Sequence, residues 1–170
     1  MSIRLPRAAC VPMLSLAWVL VLAGAAGARA ATPAEALADW QAHGRQQGLA
    51  RPDARCEDFL QAIGRKPAAL QYLGCEQDDA SYLQPMTARY RVRGASAAAV
   101  ETYLHQTFGL PLLTYLCCGW SSGAPYTWRA GAGSVGYEIG MGVESGHYPR
   151  EQWDRIPGFE VSVGVIRRSP

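Results

Sequence analysis

Histidine is scarce in this chain, and the three present, His43, His105 and His147, stand in no H-x-x-x-H spacing. Zinc needs His or Cys ligands grouped at short separations, so no zinc motif is present. There is no C-x-x-C, which removes a thioredoxin-like redox motif. Glu76, Asp78 and Asp79 are close together, but no glycine-turned calcium loop follows them. They read as a solvated hairpin loop. There are no internal repeats, and low complexity is confined to an alanine-rich stretch near the N-terminus. No metal or cofactor is expected.

An excess of one charge is also missing once the chain is divided by function. Of 16 basic and 14 acidic residues, the basic Arg4, Arg7 and Arg29 precede Ala31 and no acid does. That leaves 13 basic against 14 acidic residues, a formal charge of −1. Nothing global therefore points to nucleic acid or anionic lipid.

Residues 1–30 carry the pattern of a cleavable secretory signal. Arg4 and Arg7 give a positive start, Val11 to Ala23 is apolar, and Ala28-Arg29-Ala30 offers small residues to a signal peptidase. Cleavage is expected after Ala30, with the mature protein in the periplasm or secreted and no membrane attachment left. Cys10 would leave with the signal. The Leu22-Ala23-Gly24 run is followed by Ala25, where a lipid-bearing cysteine would have to stand.

Four cysteines remain, Cys56, Cys75, Cys117 and Cys118, and an even count in a small exported domain reads as two disulfides. A bond between the neighbours Cys117 and Cys118 closes a strained ring. The expected pairing thus gives Cys56 and Cys75 each one of the adjacent pair. No thiol would then be left to act as a nucleophile with His105 or His147.

Thr32-Pro33-Ala34-Glu35 has the form of a helix-capping box. Residues 31–54 read as a loosely attached helical arm and linker, followed by one α+β domain over 55–168. Cys56, Phe59, Leu60 and Ile63 share one face of a short helix. Strands are expected at 68–75, from Met86 to Val92, at 112–118, at 134–143 and at 159–165. A main helix is expected at 97–108, capped by Ser96 and buried through Val100, Tyr103, Leu104 and Phe108. The apolar run Leu112–Cys118 reads as a central strand covered on both faces, and 119–133 as a long loop. The fold class is α+β: one mainly antiparallel five-stranded sheet, in the element order α-β-β-α-β-β-β, with helices on one face.

Cys56 with Phe59-Leu60, Lys66-Pro67, Cys75, Tyr90-Arg91-Val92 and Cys117-Cys118-Gly119-Trp120 resemble an uncharacterised bacterial family of small exported proteins, a domain of unknown function, over roughly residues 55–167. The C-C-G-W run is the most specific part. The resemblance implies export and this architecture, and it implies no activity.

Three groups of residues remain as functional candidates. Glu138 and Glu160 (with Glu144 nearby) lie on the small-residue faces of the last two strands and would suit acid/base catalysis if the strands set them side by side. The same faces carry Gly136, Gly140, Gly142, Gly158, Ser162 and Gly164, a smooth track that invites close packing. The favoured cover is the loop 119–133, laying Trp120, Tyr126 or Trp128 on the glycines; a ligand or partner is the alternative. Arg89, Arg91 and Arg93 make a basic stripe, either binding anions of the envelope or keeping an edge strand soluble.

The expected function is a non-catalytic binding protein of the periplasm or exterior, of an inhibitor or immunity type acting on a cell-envelope enzyme. Its partner would be a periplasmic protein, met through Trp120, Ser121, Tyr126, Trp128, Arg89 and Arg91. The alternatives are a small envelope hydrolase using Glu138 and Glu160, and a structural accessory protein.

Overall fold

A computed structural model describes residues 30–146 and 148–168. The expected signal segment, apart from Ala30, and His147 lie outside the described residues. No helix among the described residues is long and apolar enough to cross a membrane.

The chain from Ala31 onward forms one unit. Its sheet has seven strands rather than five: β1 Gln71–Gln77, β2 Met86–Val92, β3 Thr114–Leu116, β4 Gly119–Ser121, β5 Tyr126–Arg129, β6 Gly136–Glu144 and β7 Phe159–Val165. They run in the order β1-β2-β7-β6-β4-β3, with β5 also on β6, and every pairing is antiparallel. The two added strands come from 119–133, where segments of three and four residues are too short to show a period of two.

Two strand placements differ from expectation. The 112–118 run is not central: only Thr114–Leu116 pairs, at one end of the sheet, and Leu112 and Leu116 are about half exposed. The arginine-bearing strand β2 is not an edge, since it lies between β1 and β7.

One face of the sheet is closed by α4, Gly94–Phe108. Ala97, Val100, Leu104 and Phe108 from the helix are buried with Met86, Ala88, Tyr90, Ile139, Met141, Val161 and Val163 from the strands. The helix starts two residues ahead of Ser96. Gly94 permits this, because a Cβ there would meet the carbonyl oxygens of Trp153 and Ile156 in the 3₁₀ helix Arg150–Arg155 and its exit. Gly109 ends it at φ +78°, a conformation that glycine adopts without strain.

Asp58 caps α3, Phe59–Ala62, by accepting from the Gln61 N–H. It also accepts from the Tyr90 hydroxyl at 3.0 Å and from Lys66 Nζ at 2.6 Å, while Tyr90 accepts from the Leu60 N–H. Burial alone would raise the Asp58 pKa, but the bonds from Lys66, Gln61 and Tyr90 outweigh it and hold the carboxyl below its usual value. A depressed carboxylate stabilises the fold above its unfolded pKa, and that contribution is lost as pH falls through the folded value. Stability should therefore drop as pH falls below about 4. Urea midpoints across that range should fall more steeply for the wild type than for Asp58→Asn; parallel curves would remove Asp58 from this role.

The disulfide pairing also differs. Cys56 bonds Cys75, with a Cα–Cα distance of 5.5 Å, and Cys117 and Cys118 are unbridged. Topology gives the reason. Cys75 is on β1 and the adjacent pair joins β3 to β4, near the opposite end of the sheet. Four strand spacings amount to roughly 20 Å, far beyond disulfide reach. Cys56 is kept near β1 because Leu60 is tied to Tyr90, whose ring lies against Tyr72 of β1.

The N-terminal arm has its capping box at Thr32 and Glu35, opening α1, Pro33–Asp39. Helix continues through a π-helical segment, Trp40–Gly44, into α2, Arg45–Gln47. Its end is not loose. Leu49 and Ala50 are buried, the Ala50 N–H donates to Ile166 O, and Gly48 O accepts from the Gly136 N–H.

Candidate binding face

Strand periodicity assigns every second residue of the central strands to the face away from α4. On β2 these are Thr87, Arg89 and Arg91; on β7, Glu160, Ser162 and Gly164; on β6, Glu138, Gly140, Gly142 and Glu144. Ser121 of β4 faces Gly142, and Leu116 of β3 faces Gly119, which in turn faces Glu144. Together they line an open groove of about 1050 Å³. Its floor is backbone and small side chains, and its sides carry charge of both signs.

The arginines are paired within the groove, Arg89 with Glu76 at 3.4 Å and Arg91 with Glu160 at 3.9 Å. All four side chains are more than half exposed. Such pairs contribute under about 1 kcal/mol and exchange readily for another partner's charge. Glu138 and Glu144 lie two strands from the arginines, on β6. The groove thus carries ion-paired arginines along one side and the carboxylates Glu138 and Glu144 along the other.

The two candidate catalytic carboxylates are not brought together. Glu138 stands opposite Gly164, and Glu160 opposite Gly142. Four residues along β7 separate their positions, about 13 Å at strand rise. Paired glycosidase carboxylates stand roughly 5–9.5 Å apart. The register was the missing information, since one face holds both residues whatever the offset.

The aromatic residues do not cover the glycines. Trp120 turns its ring to Trp153 and Tyr115, with centroids 5.1 and 5.6 Å away, and its indole N–H donates to Tyr148 O. Trp128 lies edge-on to Phe108 at 5.0 Å and beside Tyr137. Tyr126 brings its hydroxyl against Gly109 at the end of α4. All three are half-buried and pack against the helix-side core. Of the expected recognition residues, Ser121, Arg89 and Arg91 line the groove, with Trp120 at its edge. Tyr126 and Trp128 belong to the opposite face.

Sequence reasoning missed Glu101 and Arg150. Glu101 is buried at 3% exposure and accepts from the Leu113 N–H at 2.6 Å and from Arg150. Arg150 also donates to Leu113 O at 2.7 Å and lies over the Trp120 and Trp153 rings. The signal for Glu101 was present: Ala97, Glu101, Leu104 and Phe108 share one helix face. Ser122 was also passed over, and it locks β4 to β6 by exchanging bonds with both backbone groups of Met141.

Among the described residues, no three His, Cys, Asp or Glu side chains are grouped to hold a metal ion. His43 is exposed beside Asp39, and the His105 ring is engaged with Leu110 O.

Residues 44–120 match the model of a domain of unknown function, DUF4952. The matched stretch runs from the end of the arm through Cys56, Cys75, Cys117, Cys118 and Trp120, and stops before β5 to β7. No curated protein and no solved structure matches the chain.

Proposed function

We propose that this is an exported, non-catalytic binding protein, of an inhibitor or immunity type directed at a cell-envelope enzyme. Its contact surface is the open sheet face, with an exposed segment of the partner protein lying along the glycine track. One observation carries the reading: the track that invites close packing is left uncovered by the protein's own aromatics. Gly164 sharpens it. A Cβ there would come no closer than 3.8 Å to any neighbour, so the fold itself does not require glycine at this place. Glycine in a strand interior costs about 0.5–1 kcal/mol relative to alanine. A surface kept flat for an occupant explains that cost.

The mixed charge supports a protein occupant rather than a polyanion. Arg89 and Arg91 meet acids, and Glu138 and Glu144 meet bases, so a segment with both signs is matched across the groove. The Cys56–Cys75 bridge supports an oxidising compartment. The separation of Glu138 and Glu160 leaves the paired-carboxylate hydrolase without support.

Two substitutions at one site test this. Gly164→Ala should raise the unfolding free energy by about 0.5–1 kcal/mol. Gly164→Leu should fold but fill the groove, and it should lose a stoichiometric envelope partner that the wild type and the alanine variant both retain in pull-down. Retention of the same partner by Gly164→Leu would place the contact elsewhere.

A further inference from the structure

The turn joining β3 to β4 consists of Cys117 and Cys118, flanked by the paired residues Leu116 and Gly119. Both cysteines are exposed, and their sulfurs are 2.8 Å apart. Cys117 has φ +55°, one of only two non-glycine residues with positive φ among those described. A hairpin turn with positive φ at its first central position ordinarily takes glycine there. Cysteine at such a position costs free energy, and residues held this way cluster at functional sites. The Cys118 N–H, donating to Leu116 O at 2.6 Å, tightens the same turn.

We infer that Cys117 and Cys118 form a redox-labile vicinal pair, which closes to a disulfide and reopens by exchange with small-molecule disulfides and thiols of the glutathione class. Adjacent Cα atoms are about 3.8 Å apart across a trans peptide. That is shorter than the usual span of bridged cysteines, roughly 4.4–6.8 Å, so the closed form is strained. Strained, exposed disulfides are the readily reduced ones. Cys56–Cys75, with its Cα–Cα distance of 5.5 Å inside the usual span, is the structural bridge.

The order of attack follows from the hydrogen bond. The Cys118 thiol donates to the Cys117 sulfur, and that bond, then the Cys117 charge, pushes the Cys118 pKa up. With its proton held in that bond, Cys118 is the later, resolving sulfur, and Cys117 makes the first attack. It attacks one sulfur of oxidised glutathione, breaking the S–S bond, forming a mixed disulfide and expelling one glutathione thiolate. The Cys118 sulfur, on losing its proton, attacks Cys117 and expels the second. Two cysteine thiols are oxidised to one disulfide, one oxidised glutathione is reduced to two thiols, and the two cysteine protons end on the glutathione sulfurs. The exchange is independent of whatever occupies the sheet groove, although Cys118 stands at its rim.

The full chain in a Cys10→Ser background, equilibrated with mixtures of reduced and oxidised glutathione, quenched in acid, alkylated with N-ethylmaleimide and weighed intact, tests this. The expected result is a joint loss of two maleimide labels with no glutathione retained, reversed by reduced glutathione, while Cys56 and Cys75 stay unlabelled. Cys118→Ser should instead accumulate a stable glutathione adduct on Cys117. Three results would overturn the inference: two labels persisting in fully oxidised glutathione, a doubly glutathionylated wild type, or peptide maps joining Cys117 or Cys118 to Cys56 or Cys75.

Discussion

Arg150→Ala is expected to lower the unfolding free energy by about 4 kcal/mol, read from urea denaturation, because it strands a buried carboxylate. Glu101 has almost no solvent to replace the lost partner: its side chain is 4% exposed, against 37% for Arg150. The substitution also empties the space beside Trp120 and Trp153, whose rings lie 5.0 and 4.4 Å from the guanidinium, and removes a donor to Leu113 O. Glu101→Gln should cost less, since an amide oxygen can still accept from the Leu113 N–H at no charge penalty. Replacing both members, Glu101→Leu with Arg150→Met, should recover part of the loss, because a well-packed apolar pair avoids the desolvation of two ions. A loss under about 1 kcal/mol for Arg150→Ala would reduce the pair to an ordinary surface bridge.

The second large effect belongs to the Cys56–Cys75 bridge. The two cysteines are 19 residues apart, and closing a loop of that length restricts the unfolded chain by about 3 kcal/mol in the chain-entropy account. Cys56→Ala with Cys75→Ala should therefore lower the melting temperature by roughly 10 °C in calorimetry. The double variant is the right form, since a single one leaves a thiol free to exchange with Cys117 or Cys118. Cys117→Gly with Cys118→Ser should leave the melting temperature nearly unchanged, since glycine suits the positive φ of the first turn position. A larger loss from that pair than from the Cys56 and Cys75 pair would reverse the assignment of structural and labile cysteines.

The parts of the fold legible in the sequence were those written in long patterns. The alternation of β2, β6 and β7 and the apolar stripe of α4 extend over seven or more residues, and each gave the correct element and the correct buried face. The two faces of the sheet could accordingly be named residue by residue. Short elements escaped: β4 and β5 repeat too little to register, and the apolar 112–118 run concealed a three-residue edge strand. Long-range relations escaped for a different reason. The Glu138–Glu160 offset, the partner of Cys75 and the pairing of Glu101 with Arg150 all depend on strand order and register, which no local pattern encodes. The glycine track was recognised but assigned the wrong cover, because aromatic residues in a nearby segment say nothing about the face to which they turn.

The place of β7 in the sheet has a consequence for the order of assembly. Residues 71–92 make one hairpin, and residues 114–144 make a separate group of four strands. Within the sheet only β7 joins them, with β2 on one side and β6 on the other. Neither fragment can complete the core until residues 159–165 arrive, and the contacts they then make span some 70 positions back to β2. Contacts so distant in sequence are slow to form. Until then both flanking strands present unpaired backbone, so the nascent chain would benefit from being held extended and apart from its neighbours while it waits for its keystone.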